Sequence, residues 1–136
     1  MKPLKKYKMK NKYFLPYDIF ERHKKIGEFI TAEDTVLDVG GELDQLSNFS
    51  TPKKITVANL KGSQEKSDVI IKGDKLPFKN NSFTAVCAID VLEHISKLKR
   101  QKFVDDLLRV SSDKVILSFP IGTKTHINYE KSLEKW

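Results

Sequence analysis

Four short stretches carry the side chains with chemistry in them, and each directly follows an apolar run. They are Asp38, Gly40 and Gly41 in VLDVGG; Asn59 closing KITVANL; Asp74, Lys75 and Leu76 in GDKLPF; and Asp90, Val91, Glu93 and His94 in AIDVLEH. Paired glycines after a buried strand let a ligand approach the backbone and meet its exposed N–H groups. An asparagine carbonyl at the end of the next strand can accept a ribose hydroxyl, and Asp74 can accept from a nucleobase amino group. Leu76, Pro77 and Phe78 supply an apolar wall. His94 is of the residue type that exchanges protons near neutrality, which makes it the candidate general base. Each residue alone also has an ordinary loop role. Their recurrence at equivalent strand ends points to a ligand cleft along the carboxyl edge of a parallel sheet.

The elements that would position them follow from hydrophobic spacing. Ile19, Phe20, His23, Ile26, Phe29 and Ile30 recur at helical intervals over 17–30, with Asp18 as a possible cap and His23 at the edge of the packed stripe. TVLDVG is a buried strand, and ELDQLSNF a short helix laying Leu43, Leu46 and Phe49 on the sheet. KITVANL, DVIIKG, AVCAIDVL and KVILSFP supply four more strands. The connector 61–67 is short for a crossover helix, and Gly73, Pro77 and the asparagine pair make 73–83 a loop. Residues 94–111 form a helix whose inward stripe would be Leu98, Phe103, Leu107, Leu108 and Val110. The tail 121–136 begins as a loop and ends in a short helix containing Tyr129, Leu133 and Trp136. Nearly continuous apolar strands between helices predict an α/β fold: a mostly parallel sheet of about five strands with helices on both faces.

With 136 residues the chain has material for one compact core, divided here into a basic N-terminal arm, 1–16, and a domain, 17–136. A net charge of +7 is concentrated in MKPLKKYKMKNK, which holds six lysines and no acid. Such an arm suits solvation or contact with nucleic acid, an anionic membrane or an acidic substrate, and Tyr7 and Tyr13 add aromatic rings on which nucleobases could stack. No apolar stretch approaches the roughly 20 residues of a membrane span, and no secretory signal is visible. Cys87 is the only cysteine and lies in an apolar strand, so it is expected as core filler in a reducing, cytoplasmic setting. No metal-ligand spacing occurs in the sequence.

The segment GDKLPFKNNSFTAVCAIDVLEHI, residues 73–95, resembles the class I, seven-strand S-adenosylmethionine-dependent methyltransferases, especially their small-molecule-type branch. VLDVGG is similar to that family's first motif, and RVSSDKVILSFP to its later helix-to-strand passage. The resemblance implies a Rossmann-like domain with S-adenosyl-L-methionine as cofactor and a small-molecule acceptor. It places Asp38 and Gly40 against the cofactor's methionine portion, Gly41 in the same loop, and Asn59 at the ribose. Asp74 would face adenine, flanked by Lys75 and Leu76; Asp90 and Val91 would lie near the cofactor, with Glu93 and His94 at the mouth. The sequence departs from the family at Glu42 and Asp44, which are usually glycine, and at Asn59, which is usually an acid. The family's final antiparallel hairpin is expected to be missing. That leaves a truncated or minimal enzyme, an inactive interaction module, or a domain completed by a second copy or another chain. An RNA-associated protein using the basic arm is the further alternative.

Overall fold

The computed structural model describes residues 15–63 and 66–120. Helix α1 (Tyr17–Gly27) precedes strand β1 (Thr35–Val39), and β2 (Lys54–Leu60) and β3 (Val69–Ile71) follow. Strand β4 (Phe83–Ile89), helix α2 (Lys97–Val110) and strand β5 (Ser111–Ser118) complete the described elements. The sheet order is β3-β2-β1-β4-β5, and every neighbouring pair is parallel. The α/β fold with a parallel five-stranded sheet is therefore as expected. Strands step outward from β1 to β3, and the chain then returns to lay β4 on the other side of β1. This reversal opens a crevice at the strands' carboxyl ends.

Alternation along the central strands sorts the core into two layers. Leu37, Val39, Val86 and Ala88 face α2 and pack with Leu107 and Val110. Val36, Ala85, Cys87 and Ile89 face the other way and pack with Ile26, Ile30 and Leu46. The two helices thus cover opposite faces, and Cys87 is buried filler. Asp34 ties the sheet's opposite end together. Its carboxylate accepts from the Thr31 N–H at 2.8 Å, the Thr84 hydroxyl at 2.8 Å and Lys114 at 2.9 Å. Burial opposes the charge, but the Thr31, Lys114 and Thr84 bonds outweigh it and hold the carboxyl at about 2.

Local expectations are corrected in several places. The inward face of α2 is Phe103, Leu107 and Val110, spaced by four and three. Leu98 lies five residues before Phe103 and Leu108 one after Leu107, so both rotate outward, 97% and 55% exposed. Helix α1 stops at Gly27, where a β-carbon would lie 2.4 Å from the Phe49 carbonyl oxygen. Asp18 does not cap it: Pro16 occupies the N-cap, and Asp18 pairs with Arg22 one turn on at 2.9 Å. ELDQLSNF forms only a 3₁₀ turn, Leu46–Asn48. Leu46 reaches the core, whereas Phe49 packs edge-on against Phe20 of α1. Strand β5 starts three residues earlier than its apolar run, directly from the end of α2. The described parts of the β2–β3 connection contain no helix. The basic arm up to residue 14 lies outside the described residues, as does the tail from 121, for which a terminal helix and no hairpin were expected.

Candidate functional site

At the end of β1 the chain turns sharply, and both glycines are required. Gly40 has φ +79°, and a β-carbon there would lie 2.5 Å from Val91 Cγ2. A β-carbon on Gly41 would fall 2.0 Å from an Asp38 carboxylate oxygen. The turn is held by the Gly40 N–H donating to the Ala58 carbonyl at 2.8 Å. Asp44 stands at a usual glycine position and adopts glycine's left-handed backbone, with φ +64°. Aspartate is among the few residues that visit this region readily. Its carbonyl accepts from the Ser47 hydroxyl and the Asn48 amide, which closes the turn.

A cleft of about 770 Å³ opens beside this turn, within the size range of small-molecule sites. Gly40 and Asn59 line it from the ends of β1 and β2, and Asp74, Lys75 and Leu76 from the loop after β3. Val91 and His94 line it from the segment after β4. Glu42 and Asp44 are not among its lining residues, so their charges do not face it directly. Asn59 is buried, and its Nδ2 donates to the Gly41 carbonyl at 2.9 Å. With that end committed, the carbonyl Oδ1 is the acceptor the amide can offer a hydroxyl. Asp74 is exposed and 3.8 Å from Lys99. His94 is also exposed, at the mouth, with Nε2 3.9 Å from Glu93 Oε1.

The loop wall is pinned by α2, through two residues that hydrophobic spacing did not single out. Asp106 accepts the Leu76 N–H at 2.6 Å and Arg109 Nε at 2.6 Å. Arg109 also donates to the carbonyls of Leu76 and Phe78, at 3.0 and 2.7 Å. Their signal in the sequence was an acid and a base one helical turn apart, bracketing the buried Leu107.

Asp38, Gly41 and Asp90 do not line the cleft. Alternation turns the Asp38 side chain toward the α1 face, where it is only 1% exposed. Among the described residues its Oδ1 has no hydrogen-bond partner, and burial pushes its carboxyl up to about 7. Asp90 takes a left-handed backbone, φ +56°, and lies 3.2 Å from Arg22 Nη1. Arg22, which the motifs did not reveal, leaves Nε buried and unpaired among the described residues, and Glu93 Oε2 is in the same condition. Among the described residues these are two unpaired buried acceptors and one unpaired buried donor, and such groups require a polar partner.

A family model described as "Methyltransferase domain" matches residues 50–119, just over half of the chain. The chain belongs to this methyltransferase-domain family. The matched span runs from the approach to β2 through β5 and contains Asn59, the 74–76 loop and the 90–94 segment. Among solved structures, this methyltransferase-family chain is similar to a candidate methyltransferase of Bacillus halodurans C-125. The identity is 19% and the TM-score 0.56, over 88% of this chain and 55% of that one. It also matches the YcgJ protein of Bacillus subtilis at 18% identity and TM-score 0.45, over 69% of this chain and 47% of that one. The chain spans about half the length of these two structures. No curated protein matches it. Among the described residues no helix is long and apolar enough to cross a membrane.

Proposed function

We propose that this domain performs S-adenosyl-L-methionine-dependent methyl transfer to a small-molecule acceptor, as in the small-molecule-type branch. One observation carries this reading: Gly40, Asn59, Asp74, Leu76 and Val91, drawn from four separate strand ends, meet in a single cleft. The residues fit the cofactor. Asn59 Oδ1 would accept from a ribose hydroxyl, Asp74 from the adenine amino group, and Leu76 and Val91 would flank the base. The backbone at Gly40 and Gly41 would carry the methionine portion, with Asp38 offering its orphaned oxygen to the ammonium and Arg22, held by Asp90, facing the carboxylate. When bound, the cofactor supplies an electrophilic methyl group on a sulfonium.

The chain's own contribution is to orient and desolvate the reactants, which suffices for a strong nucleophile. For a weaker one, the His94 imidazole takes the acceptor's proton. The single buried cysteine is in keeping with a cytoplasmic setting. Strand β5 is paired only with β4 among the described residues, and its free edge supports association with a second copy or a completing chain. Solution scattering should show mass rising with concentration, and a fixed monomer mass would refute association.

Calorimetric titration with S-adenosylmethionine and its demethylated product, with NAD as control, tests the main reading. Saturable binding of the first two but not the third is expected. A folded chain that binds neither would be an interaction module instead. The six-lysine arm favours a second reading, an RNA-associated protein. It requires steeply salt-dependent RNA binding that weakens when residues 1–12 are removed.

A further inference from the structure

The cleft is more basic than a site for the cofactor alone requires. Lys61, Lys75, Lys99 and Lys102 all line it, from the end of β2, the loop after β3 and the near side of α2. Among the described residues its two acids, Asp74 and Asp106, do not balance them. Asp106 spends both oxygens on the Leu76 N–H and Arg109. Asp74 lies beside Lys99 at 3.8 Å. Among the described residues Lys61, Lys75 and Lys102 have no carboxylate partner, so three positive charges converge on one cavity uncompensated. The first turn of α2 adds no acid. At the same edge Asn59 is a neutral amide and adds no negative charge. Like charges gathered around a concave surface raise the local potential and attract anions.

We propose that the acceptor methylated here is itself an anion, a phosphate-bearing small molecule held at the cleft by Lys61 and Lys102, with Lys75 adding to the positive potential. This rests on the cleft being the methyl-transfer site, and it specifies which acceptors that site selects. A phosphate group offers enough oxygens to meet ammonium groups from several directions. The phosphates of an RNA backbone present the same chemistry, and the experiment separates the two sources.

Inorganic pyrophosphate is titrated calorimetrically into the full-length chain, with and without saturating demethylated cofactor. Pyrophosphate should bind saturably at one site, more weakly as salt rises. The double variant Lys61→Gln/Lys102→Gln should lose about tenfold in affinity. Lys24→Gln/Lys79→Gln removes the same charge from exposed positions outside the cleft and should change affinity less than about twofold. Equal losses in both doubles, or no saturable binding to the wild-type chain, would overturn the proposal. So would a short single-stranded RNA that displaces pyrophosphate and whose own affinity collapses without residues 1–12. The cofactor titration stands apart from these outcomes. Cleft-dependent pyrophosphate binding without cofactor binding would sink the methyltransferase reading alone. Cofactor binding without pyrophosphate binding would sink the anionic acceptor alone.

Discussion

Replacing Asp38 with asparagine should stabilise the free protein above neutral pH while weakening its hold on a cationic ligand. The carboxyl is raised from 3.8 to about 7 by burial, a rise of about three units. At 1.36 kcal/mol per unit this is about 4 kcal/mol between the protonated and ionised folded states. The sign follows from the folded value being the higher one. Below pH 3.8 both folded and unfolded chains are protonated, and Asp38 costs nothing. As pH rises through 3.8 toward about 7 the unfolded chain ionises first and stability falls; above about 7 the loss is complete. Between pH 5 and 8 the wild-type chain should therefore lose about 3 kcal/mol relative to Asp38→Asn. Asp34, held at about 2, titrates below this window. His23, whose pKa is lowered chiefly by burial, contributes an opposite slope present in both proteins, so it cancels in the difference. Urea unfolding of the two proteins at several pH values measures that difference directly. If it is flat with pH, the Asp38 carboxyl is solvated or paired and the reasoning fails.

Two further changes test the turn and the wall of the cleft. Gly40→Ala forces a side chain into φ +79° and against Val91, and should cost about 2–3 kcal/mol; Val91→Ala should restore only the contact part, which a double-mutant cycle of unfolding energies will resolve. Asp106→Ala frees the Leu76 N–H and leaves the Arg109 guanidinium without its carboxylate, held only by neutral oxygens. It should cost about 3 kcal/mol in urea unfolding and lower cofactor affinity, because the 74–76 loop loses its anchor.

The strands were legible because a doubly covered parallel sheet demands near-continuous apolar runs, and Val36–Val39 and Ala85–Ile89 supply them. The strand-end residues were legible for the same reason: where each run stops, the carboxyl edge begins. What escaped was the division of those residues between two sides of the turn. Motif spacing grouped Asp38, Gly41 and Asp90 with Asn59 and Asp74, yet alternation along β1 turns Asp38 toward α1 and away from the cleft. The stripe on α2 was overdrawn because apolar content was counted without fixing a phase; Leu107 and Val110 set that phase and leave Leu98 in solvent. Arg22 and Arg109 were missed because a charged residue on a helix surface gives no local sign of the backbone or loop it will reach.

The departures at the turn, Glu42 and Asp44, are separable from the cleft, which neither of them lines. Asp44 pays for its place in backbone strain at φ +64°, not in repulsion across the cleft, since it is exposed and absent from the lining. Asp44→Gly should then stabilise the chain by about 0.5–1 kcal/mol, glycine's freedom at positive φ outweighing its greater unfolded-state entropy. Affinity for the demethylated cofactor should stay within about twofold, because a charge facing solvent is screened over a Debye length of roughly 10 Å. Asp44→Ala keeps the strain without aspartate's tolerance of it and should destabilise by about 1 kcal/mol. A tenfold gain in cofactor affinity on Asp44→Gly would mean that the acid faces the bound ligand after all. The loop would then have been altered at the cofactor's expense, and an interaction module would become the better account of this domain.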